Sequence, residues 1–146
     1  MTTYVDGKIL IAPPRMTDWR FAKSLIYIWR HDVGGASGTI INKRVQAPTF
    51  SQICEEGRVK RNEGINPPIF YGGPLMTNLV GCLHSLDYNI PATVKCQNNL
   101  GFTFDKKIIE DIAINKGPQN YLLTIGFSSW TAGQLEEEFD ATPPRR

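Results

Sequence analysis

Several things that would have given this chain a quick functional reading are scarce or missing. No apolar run approaches the roughly 20 residues that a membrane-spanning helix requires, and the first seven residues are polar and acidic where a signal peptide would be basic and then apolar. A cytoplasmic location is therefore expected. Cysteine is scarce: Cys54, Cys82 and Cys96 are an odd set whose spacings match neither a zinc site nor a redox CxxC pair, which suits a reducing compartment. Charge of one sign is also lacking. With a formal net charge of +2 the chain is too balanced for a protein whose main task is to neutralise phosphates along a duplex. Basic residues gather only locally, at Lys43-Arg44, Arg58 with Lys60-Arg61, and Arg145-Arg146, and these read as solvated faces and a tail. Internal repeats and low-complexity segments are absent as well.

What is present is ordinary globular composition. Hydrophobic residues make up 41% and charged residues 21% of 146 residues, enough apolar side chain for one core in one domain. That domain is expected to span residues 1–140, with 141–146 as a short basic tail. Strand-like runs lie at Lys8–Ala12, Leu25–Arg30, Gly38–Asn42, Leu79–Leu86, Thr93–Cys96 and Tyr121–Phe127, the last apolar throughout as in a central strand. Asp32-Val33-Gly34-Gly35 supplies hairpin chemistry. Pro68–Tyr71 leads into the Gly72-Gly73-Pro74 turn, and 58–68 reads as an exposed loop.

Helices are fewer. Thr49 can cap a short one over Phe50–Glu56 that ends at Gly57. Asp105 can cap a second over Lys106–Lys116, where Ile108, Ile109, Ile112 and Ala113 share a face and Gly117-Pro118 close the end. Thr131 to Gln134 fits a capping box for a final helix carrying Leu135–Phe139, with Trp130 at the strand-to-helix turn. Strands outnumber helices and mostly follow one another directly. The fold class is therefore α+β, an antiparallel or mixed sheet with helices packed against it.

Residues able to carry chemistry are few, and each has a structural reading beside the functional one. His31 ends a strand just before a glycine turn: an acid/base group at a cleft mouth, or a hydrogen-bonded turn histidine. Cys82 and His84 are two apart on a strand and so share a face, as a nucleophile and its base or two metal ligands would, but no orienting carboxylate lies near. A half-buried thiol beside a polar strand residue is the favoured reading. Gly72-Gly73-Pro74 could place backbone donors around an anion, but the lysine and Ser/Thr of a phosphate loop are missing, and turn geometry accounts for it. In Gly126–Glu138 (GFSSWTAGQLEEE), Gln134 and Glu138 share a helical face. With Trp130 they suit a small binding site or protein contact, or else a tryptophan plug with a capping glutamine.

Taken together these segments are similar to the AlgH/YqgE family. The resemblance spans nearly the whole chain: KILIAPP with Asp18 and Phe21, LIYIWRH ending at His31, GASGTIINK with Asn42, YGGP at Tyr71–Pro74, Leu83-His84, and GFSSWTAGQLEEE. It implies a bifurcated β-sheet folded into a pseudo-barrel with flanking helices, and a family often labelled transcriptional regulators. Two departures stand out. Ser129 occupies a position that is usually glycine, and the chain stops at Asp140 followed by ATPPRR, short of the family's further C-terminal region. A shortened version is what a phage-encoded copy acting in the host cytoplasm would look like.

Three function classes follow. The first is a non-enzymatic regulatory or adaptor protein that binds a protein partner, with a candidate surface made of His31, Asn42, Gly72, Gly73, Pro74, His84, Trp130, Gln134 and Glu138. The second is a small-molecule enzyme, such as a hydrolase, with a cleft near His31, His84 and Glu138. The third, specific DNA binding, is not expected, because no basic recognition helix is present and the two best helices carry Glu110-Asp111 and Glu136–Glu138. Neither a cofactor nor a metal is expected from these residues.

Overall fold

A computed structural model describes residues 4–12 and 22–135. Its elements in order are β1 (Ile9–Ile11), β2 (Leu25–Asp32), β3 (Gly35–Ile40), β4 (Arg44–Val45), α1 (Phe50–Glu56), β5 (Ile69–Tyr71), β6 (Leu75–Ser85), β7 (Val94–Lys95), β8 (Leu100–Thr103), α2 (Lys106–Ala113) and β9 (Tyr121–Thr131). The strands form one sheet in the order β1-β2-β3-β9-β6-β8-β7, with β4 and β5 off that path.

The sheet forks at β9. Along one edge β9 runs antiparallel to β6, from Tyr121 opposite His84 to Phe127 opposite Leu75. Its other edge is shared by two strands. Leu123 to Ile125 pair in parallel with β5, and Ser128 to Thr131 pair antiparallel with β3. The change of partner falls at Gly126, whose φ of +71° is a backbone conformation that only glycine adopts without strain. A Cβ there would stand 2.3 Å from the Gly73 carbonyl oxygen. Gly72 fills the gap between the two branches: its N–H donates to the Ile125 carbonyl at 2.8 Å, and its own carbonyl accepts from the Ile40 N–H at 2.9 Å.

The forked sheet curls back on itself. Four strand steps separate β2 from β8, which in a flat sheet would be about 19 Å. Yet Trp29 of β2 stacks on Phe102 of β8 with ring centroids 4.8 Å apart, and Phe104 and Phe127 complete the cluster. The β7–β8 turn meets the N-terminal segment from the far side, with the Asn98 Nδ2 donating to the Gly7 carbonyl at 2.8 Å. The Tyr27 hydroxyl donates to the Gln97 carbonyl at 3.3 Å. The result is the pseudo-barrel that the resemblance implied.

Two apolar cores lie outside the barrel wall. One holds α1 and α2 against the sheet through Phe50, Cys54, Ile108, Ile109, Ile112 and Leu123. The other groups Ile26, Ile28, Ala36, Ile40, Trp130 and Leu135. The Thr49 cap is as the sequence indicated: its side chain accepts from the Gln52 N–H, and the Gln52 side chain accepts from the Thr49 N–H. Asp105 likewise accepts from the Lys107 N–H at 2.8 Å.

Several expectations need correction. The second helix ends at Ala113 and not at Lys116, because Asn115 takes a left-handed φ of +64°. Strands β4 and β8 were not expected: β4 has only two residues and forms on the edge of β5, whereas the alternation of Leu100, Phe102 and Phe104 in and after β8 was overlooked. No turn precedes Trp130. β9 continues straight through it to Thr131, with Ser129 paired opposite Ser37, so serine at this position puts no strain on the backbone. The final helix begins at Gln134 and Leu135. The rest of it, with Glu138, and Asp18 and Phe21 near the N-terminus, lie outside the described residues.

Candidate functional site

His31 ends β2 on the same cross-strand row as Ala36 of β3 and Trp130 of β9, so the fold does bring the first histidine and the last tryptophan to one end of the sheet. Its ring is already engaged. The Val5 N–H donates to His31 Nδ1 at 2.9 Å, which leaves the proton of the neutral ring on Nε2, and the Tyr4 ring meets it edge-on at 4.9 Å. Trp130 is only 4% exposed and belongs to the second core. Gln134 is exposed, but its side-chain oxygen accepts from the Thr131 N–H at 3.0 Å, one half of the capping box.

Asn42 acts as a clamp. Its side chain accepts from the Leu25 N–H at 2.9 Å and donates to the Lys23 carbonyl at 3.0 Å, tying the start of β2 to the end of β3. Gly72 and Gly73 are buried at the fork, Pro74 beside them is half-buried, and the Ser128 hydroxyl donates to the Gly72 carbonyl at 3.2 Å. A Cβ on Gly72 would lie 2.4 Å from the Gly126 carbonyl oxygen, and one on Gly73 just as close to the Phe127 backbone. The glycines are there for close backbone approach, and no open anion cradle surrounds them.

His84 and Cys82 do share a face, as their spacing required, and both are buried. The His84 Nδ1 lies 2.9 Å from the Ser85 carbonyl, which can only accept, so Nδ1 carries the proton. Nε2 then accepts from the Thr103 hydroxyl at 2.7 Å, Thr103 accepts from Thr93 at 2.8 Å, and Thr93 accepts from the Ile90 N–H at 3.2 Å. Every member of this chain is satisfied with a neutral ring. Burial holds the His84 pKa below its ordinary value of 6.5, against the opposing pull of the Ser85 carbonyl and Asp87. Burial likewise pushes the Cys82 thiol up to about 12, far from a nucleophilic thiolate. Cys96 rises to about 11 from burial and the nearby Asp6, and burial raises Cys54. His31 and His84 sit on strands separated by β3 and β9. Among the described residues, no three His, Cys, Asp or Glu side chains gather as a metal would require.

The chain of hydroxyls gives a pH dependence with a definite sign. The folded pKa of His84 lies below the unfolded one, so the unfolded chain takes up a proton first as pH falls through about 6.5. The stability held above that pH is lost progressively below it. Denaturant titrations from pH 8 to 5 are expected to be flat at the alkaline end and then to fall, and in His84→Gln this part of the slope should vanish. A wild-type slope unchanged by the substitution would contradict the assignment.

Sequence reasoning overlooked a surface elsewhere. The first half of β6 is exposed, with Leu75 at 42%, Met76 at 56% and Leu79 at 37%, and its pairing with β9 is irregular between Leu75 and Val80. Met76 has a φ of +50°, rare for a long side chain. Beside it, Ile53, Val59, Val80, Phe104 and Ile109 line a cleft of about 270 Å³ together with the polar Asn78 and Lys106. The sequence indicated a strand over Leu79–Leu86. That the outer half of β6 projects beyond its neighbour β8, which pairs only with Cys82 to Ser85, has no signal in the sequence.

Comparison with known proteins adds the following. A family model described as AlgH-like matches residues 9–142. A UPF0301 protein of Afipia carboxidovorans is 37% identical, the match covering 94% of this chain and 70% of the relative. A UPF0301 protein of a Jannaschia species is 36% identical, over 98% of this chain and 80% of the relative. Among solved structures, the AlgH protein of Pseudomonas aeruginosa superposes with a TM-score of 0.78 at 28% identity, covering 96% of this chain and 75% of that one. A Corynebacterium diphtheriae protein shares the fold, with a TM-score of 0.67 at 24% identity, over 91% of this chain and 70% of that one.

Proposed function

The chain belongs to the AlgH-like family, and from that membership we propose that it is a non-enzymatic regulatory or adaptor protein that acts by protein–protein contact. The observation that carries this reading is the exposed apolar half of β6. Leu75, Met76 and Leu79 stand together on a projecting strand next to an apolar cleft, the kind of surface that a partner covers. The other candidates serve the fold: Trp130 in a core, Gln134 on a cap and Asn42 on a clamp. The hydrolase alternative is weakened because His31 and His84 each hold a separate structural hydrogen bond and do not converge on one cleft.

The test is in-cell crosslinking of the tagged chain followed by mass spectrometry, comparing wild type with Met76→Glu/Leu79→Glu. Both side chains are exposed, so the double variant is expected to keep its melting temperature and to lose a reproducible crosslinked partner. Retention of the same partner at full yield would refute the β6 surface. Gln134→Ala should instead lower stability by about 1 kcal/mol, as loss of a cap does, and leave capture intact.

Regulation in this reading does not run through DNA. In a gel-shift titration at physiological salt we expect only weak, salt-sensitive association through the basic clusters, with no preferred sequence. A single nanomolar site would restore a literal transcriptional role.

A further inference from the structure

The cleft between the C-terminal end of α1, the start of α2 and the outer half of β6 has a composition that a protein contact alone does not call for. Its lining is mostly aliphatic and aromatic: Ile53, Val59, Leu79, Val80, Phe104 and Ile109. Its volume of about 270 Å³ lies just under the usual range for small-molecule pockets, which combine apolar walls with a few polar groups at one end. The polar side chains in its lining are Lys106 and Asn78.

Lys106 differs from its neighbour. Lys107 donates to Asp111 at 3.0 Å, and Asp105 is occupied with the Lys107 N–H. Among the described residues, no carboxylate forms an ion pair with Lys106. Lys106 is exposed, and its stem passes Gly57, another residue of the cleft lining, where a Cβ would lie 3.9 Å from the Lys106 Cε. As the first residue of α2, it also lies at the end of the helix where the dipole favours negative charge.

We propose that this cleft binds a small amphipathic monocarboxylate, with its short acyl or aryl body against Ile53, Val80, Phe104 and Ile109 and its carboxylate on Lys106 and Asn78. The apolar walls fix the body and the unpaired ammonium fixes the sign of the head group. A neutral or cationic head would leave Lys106 unmatched or repelled. Leu79 belongs both to the cleft and to the exposed face of β6, so an occupant would change the surface next to it. The binding site stands on its own geometry and does not depend on the protein–protein reading.

The probe is sodium octanoate, titrated into the isotope-labelled full chain and followed by amide chemical shifts, with octan-1-ol and octylammonium as controls of matched length. Saturable shifts are expected at Ile53, Val59, Leu79, Lys106 and Ile109, with octanoate binding more tightly than either control. Lys106→Gln should weaken octanoate about fivefold, the scale of one partly exposed ion pair, and leave octan-1-ol unchanged. Leu79→Ser should weaken both. Shifts that never saturate, shifts centred elsewhere, or an octanoate affinity unaltered by Lys106→Gln would overturn the proposal. So would cleft shifts that follow protein concentration without ligand, which would make a second copy the occupant.

Discussion

Ile112→Asp is expected to yield no folded protein. Ile112 is 3% exposed on the inner face of α2, in the core that also holds Phe50, Cys54, Ile69, Cys82 and Leu123. The buried members of that core are hydrophobic, with Cys54 and Cys82 held as thiols, and the hydroxyl of Tyr88 packed against it is already given to Asp111, so a carboxylate there would find no ready donor. An uncompensated buried charge costs several kcal/mol even after the group neutralises by taking up a proton, against a total stability of about 5–15 kcal/mol for a domain of this size. The helix would be lost as a unit, since its stability comes from this face and eight residues do not form a helix in isolation. The measurement is circular dichroism with a thermal scan. A soluble variant that melts at the wild-type temperature would show that α2 does not pack through Ile112.

Gly126→Ala should come next in severity, for a different reason. The added methyl would sit 2.3 Å from the Gly73 carbonyl oxygen and 2.9 Å from that of Leu75, both backbone atoms that no rotamer change can move. Relief would require the two branches of the sheet to separate at the fork, breaking the Gly72 bonds to Ile125 and Ile40. Gly64 provides the control. It too has a positive φ, +90°, but nothing lies within 4 Å of its Cβ position. Gly64→Ala therefore pays only the backbone strain, about 1 kcal/mol. Gly126→Ala is expected to lose several kcal/mol, and the difference between the two in urea denaturation isolates the steric part. Equal losses would mean that the fork is not closely packed.

Much of the fold is legible in the chain because local signals carry it. Thr49 and Asp105 announce their helices through side chains that bond the free N–H groups of the first turn, and Ile108, Ile109 and Ile112 announce a buried face by spacing. The uninterrupted apolar run of β9 announced a central strand, and β9 indeed has partners on both edges. β4 gave no such signal, since a two-residue strand is formed by the edge it adds to. The candidate site was less legible. The residues with conspicuous chemistry, His31, His84, Trp130 and Gln134, lie within hydrogen-bond networks and cores, and a sequence does not show whether a polar group is already satisfied.

By itself, then, the sequence determined the class of the protein: helix caps, apolar periodicity and turn glycines act over a few residues and point to an α+β chain of this family. Only the tertiary structure decided what those residues are for. Gly72, Gly73 and Gly126 come from segments about fifty residues apart, and their role appears only when three backbones meet at one fork. The same holds for the cleft beside Lys106: its walls come from α1, β6 and α2, and each contributes residues that in their own segment read as ordinary core or solvated surface. Burial, pairing and vacancy are properties of a surface assembled from distant parts of the chain, and they exist only once the chain has folded.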